Sequence, residues 1–247
     1  DSRSVEKPRS IGIVSPKKTL AMAIAFLLGL LIPISIIYLI NFFNNKIEDK
    51  DEVEQNTKAP VLGEISYVKK DTSPIVVQKG SRSIVAEQFR VIRTSISFTK
   101  PGHSPRIILV TSHRPEEGKS FTSLNLAASY ALLNKKVVVL EFDLRKPRLS
   151  IAVDVHADTG ISNFLAGSTT EVSNILHEVP GFEQRFWLLP AGPIPPNPAE
   201  LILGENMKKL MDELNKKFDY IIFDTPPYGL VTDSSLLAAH ADISVVV

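Results

Sequence analysis

The apolar positions fall into distinct regimes along the chain. From Leu20 to Ile40 every residue is uncharged and most are large and apolar, LAMAIAFLLGLLIPISIIYLI. As a helix rising about 1.5 Å per residue, this stretch reaches roughly 31 Å, the thickness of a bilayer core. It predicts a membrane span. A buried core helix rarely lacks every charge over such a length, and a signal peptide has a shorter apolar run followed by a small-residue cleavage site. Pro33 is tolerable there, because neighbouring helices or water can satisfy the carbonyl it frees. From Asn41 to about Ser81 the chain turns polar, with acids Glu48, Asp49, Asp51 and Glu52 around Lys50. That composition predicts a linker touching the following domain lightly around Val61, Leu62 and Gly63.

From Ile84 onward the pattern changes again. Val85, Phe89, Ile92 and Ile96 recur at helical spacing and form one apolar stripe. Short apolar runs at Ile107–Thr111, Val137–Phe142, Phe186–Leu189, Tyr220–Phe223 and Ile243–Val247 predict buried strands. Helical stretches Ser120–Leu133 and Pro198–Lys216 lie between them, the second expected to be capped by Asn197 with Pro198 in its first turn. Such alternation implies an α/β fold, a mostly parallel sheet flanked by helices. The expected division is a pre-membrane segment (1–19), a transmembrane helix (20–40), a linker (41–81) and an α/β domain (82–247). Both ends are expected to be cut from a longer protein, because the chain opens on Asp1 and stops within the apolar run ending at Val247.

Composition narrows the chemistry. The formal net charge of the 247 residues is +1, so no strong field argues for a nucleic-acid partner. With no cysteine, disulfides, thiolate metal sites and cysteine nucleophiles are excluded. His103, His113, His156, His177 and His240 are scattered, with no pair at a metal-ligand spacing.

The sharpest chemical signal is TSHRPEEGKS, Thr111 to Ser120, directly after one predicted strand and opening a helix. A nucleoside triphosphate needs converging backbone N–H groups, a helix N-terminus, a cation reaching its β and γ oxygens, and a hydroxyl for magnesium. Gly118 permits the close backbone approach, Lys119 is the cation and Ser120 the hydroxyl. The usual first glycine of such a loop is replaced by His113. A second signal is VVVLEFDLR, Val137 to Arg145, a buried strand ending in Glu141 and Asp143 with Arg145 beyond. Ligands on open α/β sheets sit at the carboxyl ends of strands, so these acids can meet the phosphates from the next strand. The third is YIIFDTPP, Tyr220 to Pro227, where Asp224 ends a strand as does the magnesium-linked acid of a P-loop NTPase. Each acid taken singly also fits a helix cap or turn; three phosphate-site elements in this order are harder to obtain by chance.

These residues resemble the bacterial tyrosine autokinases of the polysaccharide chain-length-determinant and capsular exopolysaccharide family. Further matches are Glu87-x-x-Arg90-x-x-Arg93, GISNFLAG (Gly160 to Gly167), GPIPPNPAEL (Gly192 to Leu201), and a membrane span followed by Pro60 to Gly63. The resemblance implies ATP and Mg²⁺ as cofactors and a tyrosine on a neighbouring copy as acceptor. It implies Lys119, Asp143, Asp224 and Glu141 as catalytic residues, with Ser120, Asp143 and Asp224 linked to the metal. Glu117, Gly118, Lys119, Ser120, Phe121, Thr122 and Arg145 would hold the nucleotide. Family members often carry aspartate where this chain has Glu141, and the longer side chain shifts the carboxylate by one carbon. Glu87, Arg90 and Arg93 lie on one flank of their helix, away from the apolar stripe. They are either a solvated face or, by the resemblance, a surface for homo-oligomers.

Further implied partners are the polysaccharide export and polymerisation machinery and a tyrosine phosphatase. The implied place is the bacterial inner membrane. The basic residues Arg3, Lys7, Arg9, Lys17 and Lys18 before the span weakly favour a cytoplasmic N-terminal side. An ATP site must face the cytosol, which instead places the C-terminal domain there. Two other readings are a non-kinase chain-length regulator with a nucleotide-gated domain and a partitioning-type ATPase. The fused span speaks against the second.

Overall fold

The uncharged stretch forms one helix, α1 (Lys18–Phe42), in the computed structural model of the chain, which describes residues 17–43, 50–57, 59–69, 73–99 and 105–247. Its 25 residues continue through Pro33 and would extend about 37 Å at the usual rise. Among the described residues it is the one helix long and apolar enough to cross a membrane. Residues 1–16 of the expected pre-membrane segment, and Glu48 and Asp49 of the acidic run, lie outside the described residues. The expected linker carries a short helix, α2 (Lys50–Asn56), with an ion pair from Lys50 to Glu54 at 3.2 Å, one turn on.

The chain divides into two compact units, residues 1–61 and 62–247. The second opens with α3 (Ile84–Phe98), β1 (Ile107–Thr111), α4 (Lys119–Ala131) and β2 (Val137–Glu141). Short helices α5 (Leu149–Ala152) and α6 (Ile161–Leu165) follow, then β3 (His177–Glu178) and β4 (Phe186–Leu189). The last elements are α7 (Pro198–Leu203), α8 (Glu205–Lys217), β5 (Tyr220–Asp224), α9 (Asp233–Ala238) and β6 (Ile243–Val246). The strand order is β3-β4-β2-β5-β1-β6, parallel throughout except for the antiparallel β3–β4 edge.

Side-chain alternation sorts the strand residues onto two cores. Ile108, Val110, Val137, Val139 and Ile222 pack with Phe89 and Ile92 of α3 and Leu126 of α4. Leu109, Val138, Leu140, Ile221 and Phe223 pack with Leu210, Met211 and Leu214 of α8. The register sets Asp224, the last residue of central β5, opposite Val110 on one side and Glu141 on the other. Three of the sequence's phosphate-site elements therefore finish at one edge of the sheet.

Several local expectations are corrected. Pro198–Lys216 is two helices, because Gly204 takes an extended conformation (φ −71°, ψ 161°) between them. Asn197 precedes α7 but makes no side-chain cap bond. The buried face of α3 is Ala86, Phe89, Ile92 and Ile96, leaving Val85 half-buried. The packed part of the domain also begins ahead of residue 82, with Ile75 and Val77 buried. Asn125 of α4 holds that strap: its Oδ1 accepts from the Val76 and Val77 N–H groups at 2.8 and 3.1 Å. Its Nδ2 donates to the Pro74 carbonyl at 2.8 Å.

Candidate nucleotide site

The loop between β1 and α4 is shaped by its own polar groups. Ser112 Oγ donates to the Arg114 carbonyl at 2.7 Å, and the Arg114 N–H donates to Glu117 Oε2 at 2.8 Å. Gly118 then turns into α4 with φ at +98°, a left-handed conformation that a residue with a Cβ enters only at a cost. The turn leaves the first N–H groups of α4 available to an anion. Glu117, expected to hold the nucleotide, thus spends one oxygen on closing the loop.

Lys119 and Ser120 open α4 and reach the two strand-end acids. Lys119 Nζ lies 3.0 Å from Asp143 Oδ2, and Ser120 Oγ donates to Asp224 Oδ2 at 2.7 Å. Asp143 Oδ1 also accepts the Lys146 N–H at 3.1 Å, which curls the chain after β2 around the carboxylate. Asp224 is buried, and burial pushes its carboxyl up to about 6 against the opposing pull of the Lys119 charge and the Ser120 hydrogen bond. Its Oδ1 lies 3.2 Å from the hydroxyl of Ser123, a buried residue of α4 that the motif reading passed over. Lys119, Ser120, Asp143 and Asp224 therefore meet in one place.

Other expected members are engaged by contacts of their own. The Phe121 ring packs against Phe89 of α3, centroids 5.7 Å apart, and Thr122 is buried with its N–H bonded to the Gly118 carbonyl. Glu141 is fully buried and is clasped by backbone: Oε1 accepts from Leu149 and Ser150 N–H at 2.6 and 3.2 Å, and Oε2 from Ala191 N–H at 3.1 Å. The carboxylate thereby joins the start of α5 to the turn after β4, beside Asp224 on the neighbouring strand. Arg145 is held by a fork from Asp233, at 2.9 and 3.2 Å, a partner 88 positions away that no local pattern announces.

Two further motifs are one contact. Gly160 lies against the backbone of 190–192, and the Ile161 and Ser162 N–H groups donate to the Pro190 and Ala191 carbonyls, both at 2.9 Å. On α3, Arg90 pairs with Glu87 and also donates to the Ser81 carbonyl at 2.9 Å. Arg93 turns inward to the Ser129 carbonyl at the end of α4, where burial lowers its pKa. Only Glu87 and Arg90 of that trio lie on the outer flank.

Residues 105–247 match the family described as AAA domain. The chain is 36% identical over 178 residues to the tyrosine-protein kinase YwqD of Bacillus subtilis, covering 70% of this chain and 72% of that protein. The chain belongs to the bacterial tyrosine-kinase family. It is also 29% identical over 246 residues to the tyrosine-protein kinase ptk of Acinetobacter johnsonii, 95% of this chain but 33% of that protein. The chain thus spans about a third of that relative's length. Among solved structures, the chimerical protein CapA2B2 superposes with a TM-score of 0.73 at 31% identity, covering 80% of this chain and 85% of that one. The kinase domain of the Escherichia coli tyrosine kinase ETK gives 0.73 at 26% identity, covering 82% of each. The domain is a P-loop fold of the nucleotide-using kind.

Proposed function

We propose that this domain transfers the γ-phosphoryl group of ATP to tyrosine hydroxyls on neighbouring copies of the same protein. The observation that carries the reading is the meeting of Lys119, Ser120, Asp143 and Asp224 at one sheet edge, in a member of a tyrosine-kinase family. Phosphoryl transfer asks a protein for positioning and charge neutralisation rather than covalent chemistry, and this set offers both.

The donors suit a magnesium ion: Ser120 and Asp224 present only oxygen, and the buried Asp224 carboxylate gains from a nearby positive charge. When bound, Mg²⁺ would neutralise charge on the β and γ oxygens. Lys119 leaves Asp143 for the phosphates, which frees that carboxylate. The bond from the γ-phosphorus to the bridging oxygen of ADP breaks as the bond to the tyrosine oxygen forms. The hydroxyl proton passes to the Asp143 carboxylate. Glu141 holds α5 and β4 around this site. The domain boundaries proposed are the membrane helix α1, a tether, and a catalytic domain that takes in the strap carrying Ile75 and Val77 ahead of residue 82.

Helix α1 fits an anchor in the bacterial inner membrane with the ATP site in the cytosol. Together with the Pro60 to Gly63 segment it supports a role in the assembly and export of capsular or extracellular polysaccharide. In that setting homo-oligomers, the polymerisation and export machinery and a tyrosine phosphatase would be partners. The test mixes an affinity-tagged Lys119→Met copy with untagged wild type and Mg-ATP. Phosphotyrosine on the tagged copy supports transfer between copies; its absence there, with wild type phosphorylated, restricts transfer to the same copy.

A further inference from the structure

Arg145 extends beyond β2 two residues after Asp143, and Asp233 opens α9 on the far side of β5. Nε donates to Asp233 Oδ2 at 2.9 Å and Nη2 to Oδ1 at 3.2 Å, a two-bond fork that fixes the plane of the guanidinium. Burial across the pair is lopsided: the Asp233 side chain is 1% exposed and that of Arg145 45%. The carboxylate is committed to the arginine, whereas the arginine keeps an outer face toward solvent. Arg145 leaves the same strand end as Asp143, two residues on, and the Asp143 carboxylate meets Lys119 at 3.0 Å.

The residue after Asp233, Ser234, is tied through the Pro226 carbonyl to the loop's strand. Ser234 Oγ and Thr111 Oγ1 both donate to the Pro226 carbonyl, and the Tyr228 N–H donates to the Ser112 carbonyl at 2.9 Å. The turn after Asp224 is thereby referenced to the loop that would hold the phosphates, and Asp233 carries that reference across to Arg145.

We propose that Asp233 is a positioning residue for phosphoryl transfer, holding Arg145 so that its outer face meets the γ-phosphoryl end of the bound nucleotide. The inference rests on the ATP-dependent reading above and assigns it a second cation besides Lys119. A partly buried ion pair by itself is weak evidence for function, since many such pairs only hold structure. The γ-phosphoryl group separates the two roles, because ADP lacks it.

The test uses the full-length protein as wild type, Asp233→Asn, Asp233→Glu, Arg145→Ala, and Asp233→Asn with Arg145→Ala. Calorimetry gives the affinities for ATP and ADP with Mg²⁺, and steady-state phosphotransfer gives kcat and KM. Displacing one oriented charge is expected to lower kcat about 10- to 100-fold in Asp233→Asn. ADP affinity stays at the wild-type value, and the preference for ATP over ADP shrinks equally in Asp233→Asn and Arg145→Ala. The double variant is no worse than Arg145→Ala, as expected when one residue acts only through the other, and Asp233→Glu recovers part of the rate. Unchanged kcat and unchanged ATP preference in Asp233→Asn would overturn the proposal. So would an equal loss of ATP and ADP affinity with a lowered Tm, which marks a structural tie. A wild-type protein that binds neither nucleotide would sink the reading of the whole site, and this inference with it.

Discussion

Lys119 and Asp143 face each other at the sheet edge, Nζ 3.0 Å from Oδ2, with each side chain 11% exposed. At that depth neither charge is well hydrated, so each depends on the other until phosphate competes for the lysine. Lys119→Met should therefore abolish ATP binding or turnover, lowering phosphotransfer by about 10²-fold or more. The domain should stay folded, since the Lys146 N–H still serves Asp143. Calorimetric titration with Mg-ATP and circular dichroism check both halves, and wild-type turnover in a folded variant would remove the nucleotide assignment.

The two acids that close β2 should fail differently. Asp143→Asn should cost activity far more than Glu141→Gln does, because its carboxylate meets Lys119 and is the proposed acceptor of the tyrosine proton. Glu141→Gln places an amide NH₂ among three backbone N–H donors, and should cost about 1–3 kcal/mol of stability. Thermal melts beside phosphotransfer rates separate the two. A dead but fully stable Glu141→Gln would return that residue to the chemistry.

Gly160→Ala should be among the most destabilising single changes in the domain. A Cβ there would stand 2.3 Å from the Pro190 carbonyl oxygen and 2.4 Å from the Gly192 nitrogen, both backbone atoms that cannot swing aside. The expected loss is at least about 3 kcal/mol. Urea unfolding measures it, and a near-neutral effect would mean that the 160–167 and 190–192 segments do not pack this closely.

Arg90 and Arg93 should separate as well. Arg93→Ala removes a guanidinium bound to the Ser129 carbonyl, which should lower Tm by loosening α3 on α4. Arg90→Ala acts at the outer flank beside Glu87, and should shift the full-length protein from oligomer toward monomer with little change in Tm. Light scattering and thermal melts on both variants decide it; identical behaviour would merge the two roles.

How far these features were legible depends on whether their cause is local. The strands β1 and β5 show in the sequence because a run of buried apolar residues ends in a polar one at each. The loop between β1 and α4 shows because Gly118, Lys119 and Ser120 are adjacent. The Glu141 clasp and the Asp233–Arg145 fork do not show, since their partners lie on other strands and helices, up to 88 positions off. Helix spacing placed Arg90 and Arg93 on one flank, yet the α4 terminus draws Arg93 inward. The break at Gly204 was hidden because the apolar spacing of α7 and α8 joins smoothly across it. Polarity suggested a loose linker up to residue 81, but Asn125 bonds the backbone of Val76 and Val77, which carries no side-chain signature.

The central claim is that this fold moves a phosphoryl group from ATP to tyrosine, and peptide mapping by mass spectrometry tests it most directly. Full-length protein freed of phosphate is incubated with Mg-ATP, beside Lys119→Met as a matched control. The account predicts phosphotyrosine that appears with time in the wild type and is absent from Lys119→Met. ATP binding with no phosphotyrosine in the wild type, or equal phosphotyrosine in both proteins, would contradict it.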